Sequence, residues 1–119
     1  MKLPGPDHPI EIQANDKRVR VTFAGCVIAD SMRALRLTEA GYQPVFYIPR
    51  DDVDMTRLTP SSHRTHCPYK GEASYFSINA DGRTAENAAW SYEQPYPVMS
   101  RIENHLAFYA SRVDSIEQL

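Results

Sequence analysis

The sequence predicts a mainly-β fold: a single small domain of short antiparallel strands and hairpins, with one or two short helices. Three observations carry this. Arg18-Val19-Arg20-Val21-Thr22-Phe23 alternates strictly, which puts Val19, Val21 and Phe23 on one face of an extended chain. Nine prolines are spread along the chain and cut it into pieces too short for long helices. Asp81-Gly82 separates two β-prone runs, and this dipeptide favours the left-handed backbone of a tight hairpin turn. Short strands with turn signals between them point to a sandwich or a barrel.

The elements follow in order. Residues 1–8, with Pro4 and Pro6, read as an extended N-terminal arm, and residues 1–119 as one domain. Ile10-Glu11-Ile12 alternates and, across Ala14–Lys17, reads as the hairpin partner of Arg18–Phe23. Asp30–Gly41 has the cap, the helix formers and the terminal glycine of a helix. A strand over Met32–Leu37 is preferred, because a turn at Glu39–Tyr42 then pairs it with Val45–Ile48. A helical turn follows Pro49 over Arg50–Asp54. Ala73–Ile78 and Ala85–Tyr92 form the hairpin across Asp81-Gly82. A second helical turn falls near Val98–Asn104, and His105–Tyr109 is the last strand.

Composition narrows the function classes. With 42% hydrophobic and 24% charged residues, the 119-residue chain is neither disordered nor repetitive. Thirteen Lys and Arg against fifteen Asp and Glu give a net charge of −2, so no nucleic-acid partner is expected from bulk charge. No apolar run is long enough to span a bilayer, and Met1–Asp7 lacks the apolar segment of a secretion signal. The expectation is a cytoplasmic protein without a membrane partner. Cys26 and Cys67 lack a Cys-x-x-Cys arrangement and are read as free thiols. No metal and no cofactor is assigned, and homodimerisation through a sheet edge is left open.

The densest chemistry lies in His63-Arg64-Thr65-His66-Cys67-Pro68-Tyr69-Lys70-Gly71. Positive charge beside Cys67 would favour its thiolate, and Lys70 could hold an anion or act as base or nucleophile. The plainer reading is a loop shaped by Pro68 and Gly71, with Cys67 as packing. His66 and Cys67, being adjacent, point to opposite sides of an extended chain, which argues against a shared metal. Asp52 and Asp54 alternate with apolar neighbours and could hold Mg²⁺, but no glycine-rich cradle precedes them. Acids at a helix start are the ordinary alternative. Trp90 and Tyr92 share a face of a strand, where they either stack on a planar ligand or belong to the core. Asp30, Ser31 and Glu39 are either turn formers or the acidic part of a pocket.

Taken in order, Val27-Ile28-Ala29-Asp30-Ser31, Arg33-Ala34-Leu35, Glu39, Pro44–Val53, Cys67-Pro68-Tyr69-Lys70-Gly71 and Ala88-Ala89-Trp90-Ser91-Tyr92 with Pro95 resemble the domain of unknown function family 427. The resemblance covers residues 8–116. That family is catalogued under a nucleotidyltransferase-like label. The Gly-Ser or Gly-Gly turn that usually precedes the paired acids of nucleotidyltransferases is missing, and only Asp52 and Asp54 resemble that site. The resemblance implies a small domain of curved sheets, β-tent or Mss4-like, without the zinc knuckles of some such folds. By motif position it implies a site with Cys67, Lys70, Asp30 and Glu39 as reactive groups. Ser31, Arg33, Tyr69, Trp90 and Tyr92 would bind ligand. The function expected is binding of a small anionic or aromatic ligand. The alternatives are an enzyme using Cys67 or Lys70 with Asp30 or Glu39, and a protein-interaction domain.

Overall fold

A computed structural model describes residues Met1–Leu119. Ten strands run in chain order: β1 (Ile10–Ala14), β2 (Val19–Phe23), β3 (Cys26–Ser31), β4 (Leu35–Glu39), β5 (Val45–Pro49), β6 (Leu58–Cys67), β7 (Gly71–Ala80), β8 (Arg83–Ser91), β9 (His105–Phe108) and β10 (Ser115–Gln118). Short 3₁₀ turns at Arg50–Asp52, Met55–Arg57, Pro97–Ile102 and Ala110–Arg112 complete the chain. Seven strands form one sheet in the order β1-β4-β5-β9-β8-β7-β6, and β10-β2-β3 form a second. Every strand pairing is antiparallel. The mainly-β expectation therefore holds, as two sheets and not as a closed barrel. No helix is long and apolar enough to cross a membrane.

Alternation assigns the two faces of the large sheet. Phe46 and Ile48 of β5, Leu106 and Phe108 of β9, and Phe76 and Ile78 of β7 pack against Val19, Val21 and Phe23 of the small sheet. Their neighbours point the other way. Tyr47, Ala107, Ala73, Tyr75 and Tyr92 join Leu37, Met99 and Ile102 in a second apolar cluster. One face thus makes the inter-sheet core, and the other carries the aromatic residues discussed below.

Pairing across Asp81-Gly82 is as expected: Ala80 opposes Arg83, Tyr75 opposes Trp90, and both turn residues have positive φ (50° and 72°). Strand also prevails over helix before Gly41, since Leu35 opposes Tyr47 and Leu37 opposes Val45. The strand begins at Leu35 and not Met32, because Ser31 Oγ accepts from Arg33 N (3.0 Å) and bends the chain there.

Three expectations are corrected. β1 does not pair with β2; it lies beside β4, with Ile12 opposite Leu37. Its isoleucines face the second cluster, whereas Val19, Val21 and Phe23 belong to the first, so Ala14–Lys17 carries the chain between sheets. The true hairpin of β2 turns through Ala24-Gly25, both at positive φ (51° and 75°), into β3. The loop expected around Pro68 and Gly71 is confined to the turn at residues 68–70; residues 63–67 before it are the end of the long edge strand β6, whose ladder is interrupted between Pro60 and Arg64. The arm at 1–8 is folded back and not extended: Gly5 and His8 exchange backbone hydrogen bonds (3.2 and 2.9 Å), and Lys2 N donates to Pro68 O (2.7 Å).

Gly71 sets the turn from β6 into β7. A Cβ there would meet the backbone near Gln94 and Pro95 at ordinary distances of 3.5–3.7 Å, but its φ of +113° is one that L side chains rarely adopt. Gly71→Ala is therefore expected to cost about 1–3 kcal/mol through backbone strain alone. Urea unfolding checks this; a loss smaller than that of an Ala substitution at an exposed strand position would contradict it.

Candidate functional site

Glu39 ends β4, near one edge of the seven-stranded sheet, and Lys70 sits in the turn between β6 and β7 at the other edge. In a flat sheet the four strand spacings from β4 to β7 would separate them by roughly 19 Å. Instead Lys70 Nζ donates directly to Glu39 Oε1. The sheet is curled so that its two ends meet through side chains. Lys70 is only 6% exposed, and its ammonium also lies 3.8 Å from Cys67 Sγ and 5.9 Å from the centre of the Tyr92 ring.

The folded-back arm reinforces this closure. His8 Nε2 lies 2.7 Å from Glu39 Oε2, and the His8 ring stacks on Tyr69 with centroids 4.2 Å apart and planes within 4°. Burial pushes the Glu39 carboxyl up, but the hydrogen bonds and charges of Lys70 and His8 outweigh it and hold its pKa below the usual carboxylate value.

Behind this pair opens a cleft of about 490 Å³. Trp90 Nε1 donates to Tyr47 Oη (3.3 Å) and the Trp90 ring packs 4.5 Å from Tyr109. Tyr109 and Tyr75 are joined by their hydroxyls (3.2 Å), and Tyr75 in turn by Thr65 (3.0 Å). Burial pushes the Tyr47 and Tyr92 hydroxyls well above the ordinary phenol value. Burial and the bond to Tyr75 raise Tyr109 to about 12. These phenols are neutral at physiological pH and remain hydrogen-bonding groups. The cleft can thus grip a flat molecule between rings and offer it donors and acceptors at one end.

Of the residues expected from sequence, Glu39, Cys67, Tyr69, Lys70, Trp90 and Tyr92 line this cleft. Asp30, Ser31 and Arg33 do not. Asp30 accepts from Arg18 (2.6 and 2.7 Å) and from Arg20 (3.2 and 3.3 Å), and these bonds, Arg18's first, lower its pKa. Ser31 Oγ donates to Asp52 Oδ2 (2.6 Å), as does Arg33 Nε (3.3 Å), and both lower the Asp52 pKa. Asp54 accepts from Thr56 N (3.2 Å) and caps the short turn that follows. Asp30 is thus corrected as a partner of Lys70 or Cys67: two guanidiniums already occupy it. The residues that sequence reasoning missed are His8, Tyr47, Tyr75 and Tyr109. For the tyrosines the signal was present, because strand alternation puts Tyr47, Tyr75 and Tyr109 on the face that Trp90 shares. For His8 there was none.

A family model described as Domain of unknown function (DUF427) matches residues 11–119, and the chain belongs to this family, which carries a nucleotidyltransferase-type short name. No curated protein matches the chain.

Because the Glu39 pKa is depressed by folding, the stability it confers is present above the unfolded value near 4.5 and is lost as pH falls through the lower folded value. Glu39→Gln is expected to cost about 1–3 kcal/mol at neutral pH. Urea midpoints measured from neutral pH into acid should show the gap between the two proteins closing as pH falls below 4.5 and through the lower folded value. A gap that stays constant, or widens, would contradict this.

Proposed function

We propose that the cleft binds a small, planar, largely uncharged molecule, an aromatic ring or its equivalent bearing a polar substituent. The observation that carries this is the joining of ring walls from Tyr47, Trp90 and Tyr109 to a single closed ion pair, Lys70–Glu39. Ring faces and edges favour flat partners. The charge of Lys70 is matched by Glu39, so that end of the cleft presents a donor and an acceptor side by side. A neutral group with both functions, such as an amide, fits this better than a simple anion does. Pockets of this size with few polar groups and apolar walls are the usual form of small-molecule sites.

Covalent chemistry at Cys67 is the second reading, favoured by the 3.8 Å approach of the Lys70 ammonium to Sγ. It is weaker, because Lys70 and Glu39 are engaged with each other and Glu39 also with His8. No free base is left beside the thiol to take its proton.

Trp90 is the only tryptophan and its indole lines the cleft, so its fluorescence reports occupancy directly. Titration with benzamide is expected to give a saturable change with a Kd of about 1 mM, as for a fragment of this size. Tyr109→Leu should weaken binding about tenfold through lost ring packing. Benzoate binding more tightly than benzamide would favour an anionic ligand, and a non-saturable response to both would sink the proposal.

A further inference from the structure

We infer that the ligand of this cleft is amphipathic: its planar polar head sits against Lys70–Glu39, and an apolar tail passes into a second compartment between the two sheets. The inference rests on the reading of the cleft as a binding site and adds the class of molecule that fills it.

The compartment exists because the large sheet parts in the middle. β5 and β9 are paired only at Ile48 with Leu106 and at Pro49 with His105. Beyond that, β5 stays with β4 as far as Val45, while β9 stays with β8 through Ala107 and Phe108. The two halves of the sheet therefore diverge toward the Tyr42–Pro44 loop on one side and Tyr109 on the other. A cavity of about 380 Å³ occupies this divergence.

Four residues, Gln43, Val45, Trp90 and Tyr109, line both this cavity and the cleft, so the two spaces adjoin at these side chains. Val45, Trp90 and Tyr109 belong to the aromatic face, whereas Phe46, Phe108 and Ile116 belong to the inter-sheet core. A molecule that occupied both spaces would therefore reach from one face of the sheet to the other between the parted strands. The chemistry of the lining changes along the way. The cleft contains an ammonium, a carboxylate, an imidazole and a thiol. The second compartment contains no carboxylate, ammonium, guanidinium or imidazole.

A polar ligand gains nothing from the inner space, because its polar groups would lose water there without partners. An alkyl or aryl tail gains from every carbon it buries. Tail-bearing planar molecules are therefore selected over both short polar ones and long charged ones.

The test is a homologous series running from benzamide to 4-butylbenzamide, titrated against the full chain and followed by Trp90 fluorescence. Each added methylene should tighten Kd by about fourfold. Ala110 is exposed and borders only the second compartment, so Ala110→Phe narrows that space without touching the core. It is expected to flatten the series. If benzamide binds but the affinity does not rise with chain length, or if Ala110→Phe leaves the slope unchanged, the second compartment takes no tail and this inference falls alone. If no member of the series binds, the reading of the cleft as a binding site falls with it.

Discussion

The buried contact between Lys70 and Glu39 is the constraint on which the site depends. An ammonium that is 6% exposed needs a partner, since an unpaired buried charge is among the most costly features a fold can carry. The partner comes from the opposite end of the same sheet, so the ion pair is satisfied only when the sheet curls. The curl brings the β6–β7 turn over β4 and creates the hollow that Tyr47, Tyr75, Trp90 and Tyr109 line. His8, Tyr69 and the bond from Lys2 to Pro68 then fasten the arm across the join. Gly71 and the donation of Tyr96 N to Lys70 O (2.9 Å) hold the turn in place.

The other acidic residues do different work. Asp52 ties Ser31 and Arg33 to the turn after β5, Asp54 N donates to Ile28 O (2.8 Å), and Ala29 forms a bridge with Val53. Together they dock the small sheet onto the segment leaving the large one. Asp30, between Arg18 and Arg20, braces β2 against β3. These carboxylates have their hydrogen bonds met within the fold, away from the cleft.

How much of this could be read from sequence follows from which signals are local. Strict alternation at Val19–Phe23 and the Asp81-Gly82 turn are local, and both elements were legible. The pairing of β1 was not, because which core Ile10 and Ile12 enter is decided by residues far along the chain. β6 was hidden for another reason: an edge strand with Pro60 and a broken ladder has no apolar periodicity to display. In the site, Cys67, Tyr69 and Lys70 were found because thiol, ring and amine cluster in sequence. Asp30, Ser31 and Arg33 were grouped with them because an order of motifs along a chain says nothing about which face of a sheet each residue occupies. The role of His8 depends on an arm folding back over 31 residues of separation to reach Glu39, and no local pattern encodes that.

The central claim is that the Lys70–Glu39 contact, and not either residue alone, closes the curled sheet. A double-mutant cycle with Lys70→Met and Glu39→Leu tests it most directly, read by urea unfolding at neutral pH. Each single variant should lose about 3 kcal/mol or more, because it strands one buried charge, while the double variant should recover most of that loss. A coupling energy of at least about 1.5 kcal/mol is the expected result. Losses that simply add would mean that the two residues act independently and that the sheet is held closed by something else.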